Sequence, residues 1–162
     1  MTKEEAIQTA GELLEKLGYV DGTYVTAMQE RERLVSTYIG MGVAIPHGTT
    51  QAKGTVKKTG IVFLQYPEGV DFGAEKAQLV FGIAGIGDEH LEILSNLCTL
   101  LEDPERLEKL KTTKDVDWVL EQLASLTPIQ SLHNFIPVTI GNIIGGMLLV
   151  GIPCYLIYKK EK

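Results

Sequence analysis

The chain of 162 residues has few of the side chains on which common enzyme chemistries depend. Its two cysteines, Cys98 and Cys154, lie far apart and form neither a metal-binding pair nor a redox motif. It has no His-Glu-x-x-His pair, no Gly-x-Ser-x-Gly elbow and no Walker loop. These absences disfavour a zinc enzyme and a hydrolase, and we expect no metal site and no cofactor.

The composition of the chain excludes further classes of function. The net charge of −6 argues against nucleic acid as a partner, and a hydrophobic fraction of 44% is enough for one globular domain with a core. Unpaired cysteines fit a reducing cytosol, with Cys98 expected as a buried helix residue. The chain opens on a capping box, Thr2-Lys3-Glu4-Glu5, instead of a signal peptide, so we predict a cytoplasmic protein.

The spacing of apolar residues predicts an α/β fold in which helices sandwich a mixed sheet. Two helices are expected first, from Thr2 to Gly18 and over 24–34. Short strands are expected at 37–39, 42–45, 60–66 and 78–84, followed by helices at 88–102, 104–111 and 115–125.

The most informative position is His47, in Gly42-Val43-Ala44-Ile45-Pro46-His47-Gly48-Thr49. Pro46 restricts the backbone before the histidine, and Gly48 allows close approach of whatever His47 binds. An unprotonated ring nitrogen can attack phosphorus while the other nitrogen is held by a backbone carbonyl. The segment therefore predicts a phosphoryl carrier, although a histidine after proline is also common as an ordinary surface residue.

Two further segments accompany this loop. Upstream, Ala27-Met28-Gln29-Glu30-Arg31-Glu32-Arg33-Leu34 supplies two arginines, and downstream Gly85-Ile86-Gly87-Asp88-Glu89-His90-Leu91-Glu92-Ile93-Leu94 supplies a second histidine. In order and spacing, the three segments resemble the enzyme IIA component of the bacterial sugar phosphotransferase system, mannitol/fructose class. The segment Val62-Phe63-Leu64-Gln65-Tyr66-Pro67-Glu68-Gly69-Val70 points towards the mannitol type. The resemblance covers about residues 2–126.

The resemblance implies a phosphotransferase with a phosphohistidine intermediate. The histidine phosphocarrier protein would donate a phosphoryl group to His47, which would pass it to a cysteine of enzyme IIB during the uptake of mannitol-like sugars. Arg31 matches the family's phosphate-facing arginine, and His90 matches its second histidine. A guanidinium binds phosphate oxygens with paired hydrogen bonds, which suits the role of Arg31.

Other residues near His47 carry weaker predictions. Gly48 and Thr49 are candidate phosphate-binding residues, although a threonine in a turn often bonds its own backbone. His90 is expected in the first turn of a helix, where an anion is favoured, but the same position suits a solvent-exposed residue. Arg31 could likewise be a surface charge, and Arg33 is expected to point elsewhere. The cluster Lys53, Lys57 and Lys58 predicts a charged loop that either meets acidic partners or is simply solvated.

The C-terminal part differs in composition, because no charged residue occurs from Gln122 to Tyr158. We predict a linker at 127–134 and a transmembrane-like helix at 135–162 with a basic end, since Val138 to Tyr158 would span roughly 30 Å as a helix. Residues 135–158 are the candidate membrane contact. Asn134 to Gly146 resembles the last transmembrane helix of formate/nitrite transporters, and the junction is either accidental, engineered or a membrane tether.

Three other functions remain open at this level. A regulatory phosphodomain would use the same histidine for signalling. A membrane-tethered fragment of a formate/nitrite transporter would require partner helices. A purely structural α/β module would have no use for His47 at all.

Overall fold

A computed structural model describes residues 1–73 and 75–126, together with the backbone of 140–142 and 146–148. The helices are α1 (Lys3–Lys16), α2 (Thr23–Leu34), α3 (Glu89–Leu101), α4 (Pro104–Thr112) and α5 (Val116–Ala124). The main sheet consists of β1 (Tyr38–Gly40), β2 (Val43–Ala44), β3 (Gly60–Asp71) and β4 (Lys76–Ala84), and a 3-10 helix covers Thr50–Thr55.

The sheet has the order β1-β2-β4-β3. β2 runs parallel to β4, and the other neighbouring strands are antiparallel. The predicted mixed sheet is therefore confirmed. The parallel pair matters most for function, because the carboxyl ends of β2 and β4 lie together at one edge, where α/β proteins commonly bind ligands.

Helices cover both faces of the sheet. On one face, a Cβ on Gly82 would lie 2.9 Å from the Cβ of Ala10 in α1, so the glycine allows close packing of helix on strand. On the other face, the buried amide of Gln65 donates to the carbonyl of Leu110 in α4. The rings of Phe63 and Phe81, 5.1 Å apart, lie in the core between the layers.

The first helix begins as the sequence predicts. The hydroxyl of Thr2 accepts a hydrogen bond from the N–H of Glu5 at 3.2 Å, and the carboxylate of Glu5 accepts one from the N–H of Thr2 at 2.8 Å. This reciprocal cap satisfies two N–H groups that a helix start leaves without partners. Thr2 also forms a parallel bridge with Asp71, which ties the start of α1 to the end of β3.

Two predictions within the domain were wrong in detail. β3 does not stop at residue 66 but continues through Pro67, which a strand at the edge of a sheet tolerates, and its register shifts between Gln65 and Val70. Cys98 is exposed instead of buried, because the inner face of α3 is formed by other positions. The buried residues of α3 are Ile93, Leu97, Leu100 and Leu101.

The predicted helix over 135–162 was wrong at the positions that can be compared. Ile140–Asn142 forms a strand, β5, and Gly146–Leu148 forms a second, β6, which pair antiparallel. The segment is rich in Ile and Gly, which favour strands and turns over a helix interior, and a short apolar run does not by itself distinguish the two. The linker 127–134 and the rest of 135–162 lie outside the described residues. Among the described residues, no helix combines the length and hydrophobicity needed to cross a bilayer.

Candidate active site

His47 lies where the parallel strands β2 and β4 end. Just beyond β2 it forms a parallel bridge with Ile83 of β4, and the N–H of Ile83 donates to the carbonyl of Pro46 at 2.9 Å. The N–H of Ile45 donates to the carbonyl of Thr37 at 3.0 Å on the other side. The backbone that carries the histidine is therefore held from both neighbouring strands.

The imidazole ring of His47 is oriented by its own loop. Its Nδ1 lies 2.8 Å from the carbonyl oxygen of Ile45. Because a carbonyl only accepts hydrogen bonds, Nδ1 carries the hydrogen, and in the neutral ring Nε2 then has a free lone pair. The residue is half-buried and lines a pocket, so part of it remains accessible.

The surroundings lower the pKa of His47. Burial of the ring is the main cause, and the positive charges of Arg31 and His90 act in the same direction. The hydrogen bond to Ile45 and the carboxylate of Glu32 oppose the shift without reversing it. His47 is therefore mainly neutral at pH 7, the form in which imidazole is a nucleophile.

A pocket with a volume of about 90 Å³ opens beside the ring, well above the roughly 10–15 Å³ that one water needs. It contains all five residues that the sequence singled out and five others. The predicted residues are Arg31, His47, Gly48, Thr49 and His90; the others are Tyr24, Thr50, Lys53, Val56 and Gly85. The fold thus gathers residues that are far apart in the chain into one site.

Arg31 enters the pocket from the last turn of α2. Its Nη1 donates to the carbonyl of Val35 at 2.7 Å, a partner at the surface. Arg33 is exposed and is not among the described lining residues, in agreement with the prediction. The neighbouring Glu32 is buried and accepts hydrogen bonds from the N–H and hydroxyl of Thr37 at 2.6 and 2.7 Å. These bonds attach the end of α2 to the segment leading into β1.

His90 lies in the first turn of α3, as the sequence predicts, with its Nδ1 3.2 Å from the carbonyl oxygen of Gly87. It packs directly against Gly85, where a Cβ would come within 2.6 Å of the backbone nitrogen and the Cβ of His90. A glycine at position 85 therefore lets the start of α3 approach the end of β4.

Gly48 differs from its prediction in one respect. Its N–H donates to the hydroxyl of Tyr24 at 3.0 Å, so in this arrangement the N–H is not available to phosphate. The glycine is needed for packing as well, because a Cβ at this position would lie 2.5 Å from Cε2 of Tyr24. Thr49 lines the pocket, and its side chain does not cap the following 3-10 helix.

Sequence reasoning missed two important members of the site. Tyr24 lies inside a predicted helix, where nothing distinguishes it from a core aromatic residue. Lys53 was assigned to a charged loop together with Lys57 and Lys58, which are exposed, whereas Lys53 is half-buried and lines the pocket. The only signal in the sequence was its position six residues after His47.

Comparison with known families agrees with this geometry. The model of the family described as "Phosphoenolpyruvate-dependent sugar phosphotransferase system, EIIA 2" matches residues 1–126. The chain belongs to this family. The prediction of an enzyme IIA component, a phosphotransferase of the sugar phosphotransferase system, is thereby confirmed.

Named relatives are consistent with this assignment. The chain is 53% identical over 126 residues to the mannitol-specific EIICBA component of Escherichia coli K12, covering 76% of this chain and 20% of that protein. It is 44% identical over 127 residues to the mannitol-specific enzyme IIA component of Enterococcus faecalis, covering 76% and 88% of the two chains. The chain thus spans about a fifth of the length of the first of these.

A solved structure shows the same fold. The complex of enzyme IIAMtl and phosphorylated enzyme IIBMtl from Escherichia coli contains a chain that matches with a TM-score of 0.72 and 52% identity. The match covers 76% of this chain and 88% of that one. The mannitol-type enzyme IIA fold is therefore confirmed.

Proposed function

We propose that this enzyme IIA carries phosphoryl groups for the uptake of mannitol or a closely similar sugar. The histidine phosphocarrier protein is the donor, His47 is the carrier, and a cysteine of enzyme IIB is the acceptor. Mannitol is named for the relatives that match at 53% and 44% identity, and one matching structure is a complex with phosphorylated enzyme IIB. A cytoplasmic location is part of the same proposal, because the carrier has to meet its phosphoryl donor there.

One observation carries the proposal. His47 donates from Nδ1 to Ile45 at 2.8 Å and opens into a pocket that also contains Arg31 and His90. In the first transfer, the lone pair of Nε2 forms a bond to phosphorus as the bond to the donor's histidine nitrogen breaks. In the second, the thiolate of enzyme IIB forms a bond to phosphorus as the bond to Nε2 breaks. The phosphoryl group is conserved throughout, and the protein contributes positioning and charge stabilisation.

Arg31 and His90 are the proposed phosphate-stabilising groups. A phosphoryl group on imidazole brings close to two negative charges into the pocket, and a guanidinium binds such oxygens in a bidentate way. The current partner of Arg31 is a single backbone carbonyl at the surface, which it can exchange for phosphate. Thr49 is proposed to donate its hydroxyl to the same group. Gly48 keeps a place at the pocket wall, with its N–H on Tyr24.

The domain boundaries belong to the same proposal. Residues 1–126 form the phosphocarrier domain, 127–134 a linker and 135–162 a separate segment. Support comes from the family match, which ends at residue 126. Deleting 127–162 is expected to leave phosphorylation of His47 unchanged, and loss of phosphorylation in a folded truncated chain would refute these boundaries.

The decisive experiment is phosphorylation of the whole chain. It is incubated with phosphoenolpyruvate, enzyme I and the histidine phosphocarrier protein, and intact mass is measured before and after acid treatment. We expect an acid-labile gain of one phosphoryl group that disappears in His47→Gln. His133→Gln is a matched control, since His133 has no proposed role, and it should be phosphorylated like the wild type.

Onward transfer separates uptake from regulation. The phosphorylated chain is mixed with the enzyme IIB domain of a mannitol system, and phosphocysteine is measured. Transfer supports the carrier function. A chain that is phosphorylated on His47 but transfers nothing to enzyme IIB would point to a regulatory phosphodomain instead.

A further inference from the structure

Lys53 is the charged residue of the pocket lining to which neither the sequence analysis nor the proposed function assigns a role. It lies on the 3-10 helix Thr50–Thr55 and lines the same pocket as His47. Its ammonium group is 3.2 Å from Oδ1 of Asp88, and the two side chains are 35% and 86% exposed. An ion pair this accessible to water contributes little to stability, so Lys53 is held only weakly in its present position.

The charge around the pocket favours an anion. Arg31, Lys53 and His90 line it together with His47, and no carboxylate is among the described lining residues. The chain as a whole has a net charge of −6, so the positive charge that Arg31 and Lys53 bring to this pocket is a local feature. Asp88, which holds Lys53, is outside the lining.

Asp88 also stands at a position where its carboxylate can cap a helix. It occupies the N-cap position of α3, yet its side chain makes no capping hydrogen bond there. A carboxylate at this position normally accepts from the N–H groups of the first helical turn. If Lys53 left, the Asp88 carboxylate would be free to turn toward these N–H groups, which would lower the cost of separating the pair.

We propose that Lys53 is a third phosphate-binding group and that Asp88 is its partner only while His47 is unphosphorylated. This inference rests on the proposed function. When His47 receives a phosphoryl group, the ammonium of Lys53 turns from Asp88 to a phosphate oxygen, and Asp88 becomes free to cap α3. A lysine suits such an exchange, because its charge is compact and its stem is flexible. The phosphate dianion attracts it more strongly than one solvated carboxylate does.

A purely structural role for the pair makes a different prediction. In that case Lys53 and Asp88 would only join the 3-10 helix to the start of α3. Loss of either side chain would then change the unfolding transition by the same small amount and would leave phosphorylation unaffected.

The test is a double-mutant cycle on the equilibrium between the phosphorylated histidine phosphocarrier protein and His47. The full chain is used as wild type, Lys53→Met, Asp88→Asn and the double variant, and phosphorylated fractions are measured by intact mass. We expect Lys53→Met to lower the equilibrium constant about tenfold. Asp88→Asn should raise it by up to about fivefold, because Lys53 no longer has to leave a carboxylate. In the Lys53→Met background, Asp88→Asn should have no effect.

Two controls accompany the cycle. Lys58→Met removes an exposed lysine from the same loop and should leave the equilibrium unchanged. Lys53→Arg keeps the charge and should restore most of the loss. Thermal unfolding of each variant shows that the comparison is made between folded proteins.

The outcomes distinguish this inference from the proposed function. If the wild type takes no phosphoryl group, both are overturned. If the wild type is phosphorylated and Lys53→Met matches it, only the role of Lys53 is rejected. An equal effect of Asp88→Asn with and without Lys53 would reject the partner exchange.

Discussion

The hydroxyl of Tyr24 accepts a hydrogen bond from the N–H of Gly48 at 3.0 Å and donates one to the carbonyl of Ile83 at 2.7 Å. This single buried group joins α2 to the end of β4 and to the residue that follows His47. Burial raises the pKa of Tyr24, so the hydroxyl stays protonated and keeps its donor role at neutral pH. The position of His47 thus depends on a side chain that does not itself perform chemistry.

Tyr24→Phe should loosen the loop after His47. The variant leaves the N–H of Gly48 and the carbonyl of Ile83 without their partner, at a cost of about 1–3 kcal/mol in the free energy of unfolding. Phosphorylation of His47 should become slower because the ring is less firmly placed. Denaturant unfolding and stopped-flow transfer from the donor measure the two effects.

Tyr38→Phe is the matched control for that variant. The hydroxyl of Tyr38 also bonds a glycine N–H, that of Gly42 at 3.1 Å, but Gly42 precedes β2 whereas His47 follows it, and the hydroxyl donates to Glu75. Tyr38→Phe should therefore lower the free energy of unfolding and leave the rate of phosphoryl transfer unchanged. If both tyrosine variants slowed transfer equally, the effect would be one of general stability.

Gly48→Ala should disrupt the site through a steric clash. The added Cβ would lie 2.5 Å from Cε2 and 2.9 Å from Cζ of Tyr24, both on a buried ring that cannot move freely. We expect a loss of about 1–3 kcal/mol in unfolding free energy. Gly54→Ala, on the nearby 3-10 helix, meets no atom within 4 Å and should be nearly neutral. Equal stability of the two variants would contradict this account of Gly48.

The protonation of His47 should respond to Arg31. Because burial and the positive charges of Arg31 and His90 lower its pKa, the imidazole should titrate below the ordinary value of about 6.5. Arg31→Gln removes one of those charges and should raise the pKa, whereas Arg33→Gln, on the exposed side of the same helix, should not. Two-dimensional NMR of the ring nitrogens follows both titrations and reports the tautomer.

The same shift has a consequence for stability. In the unfolded chain His47 binds a proton at a higher pH than in the folded protein, so the unfolded state holds more protons as the pH falls below about 6.5. Folding stability should therefore decrease over that range and be fully retained above it. His47→Gln should reduce this pH dependence, and an unaltered profile would argue against a lowered pKa.

Glu32→Gln tests the buried carboxylate that attaches the end of α2, the helix that carries Arg31, to the segment leading into β1. Glu32, 5% exposed, accepts hydrogen bonds from the N–H and hydroxyl of Thr37 and from the hydroxyl of Ser36 at 3.0 Å, and it pairs with Lys3 at 3.4 Å. An amide presents only one accepting atom, so we expect a loss of about 1–3 kcal/mol. Glu30→Gln, exposed on the same helix, should change the unfolding midpoint little.

The success of the helix predictions has a local cause. α4 begins at Pro104 and is capped by Asp103, whose carboxylate accepts from the N–H groups of Glu105 and Arg106, so its start is encoded in adjacent residues. Features that depend on distant partners were harder to predict from the sequence. β3 continues past Pro67 because its later residues pair with β4, and the exposure of Cys98 depends on which face of α3 meets the domain.

The apolar C-terminal segment shows that composition alone does not determine secondary structure. Hydrophobicity and length predicted a helix over 135–162, while residues 140–142 and 146–148 pair as strands. A run of Ile, Val and Gly without charges satisfies both structures, and the choice between them depends on available hydrogen-bonding partners that composition does not contain.

The sequence alone was sufficient to predict a phosphoryl carrier and to single out His47 as its candidate nucleophile, because the surroundings of His47 in the chain, with Pro46 before it and Gly48 after it, are local information. Arg31 and His90 followed from their resemblance to a family pattern. Only the tertiary structure showed that Tyr24 holds Gly48 and Ile83 and that Lys53 shares the pocket. Those relationships arise when α2, the 3-10 helix and the ends of β2 and β4 pack together. Contacts between segments that are distant in the chain produce no spacing pattern in the sequence, so they could not be predicted from it.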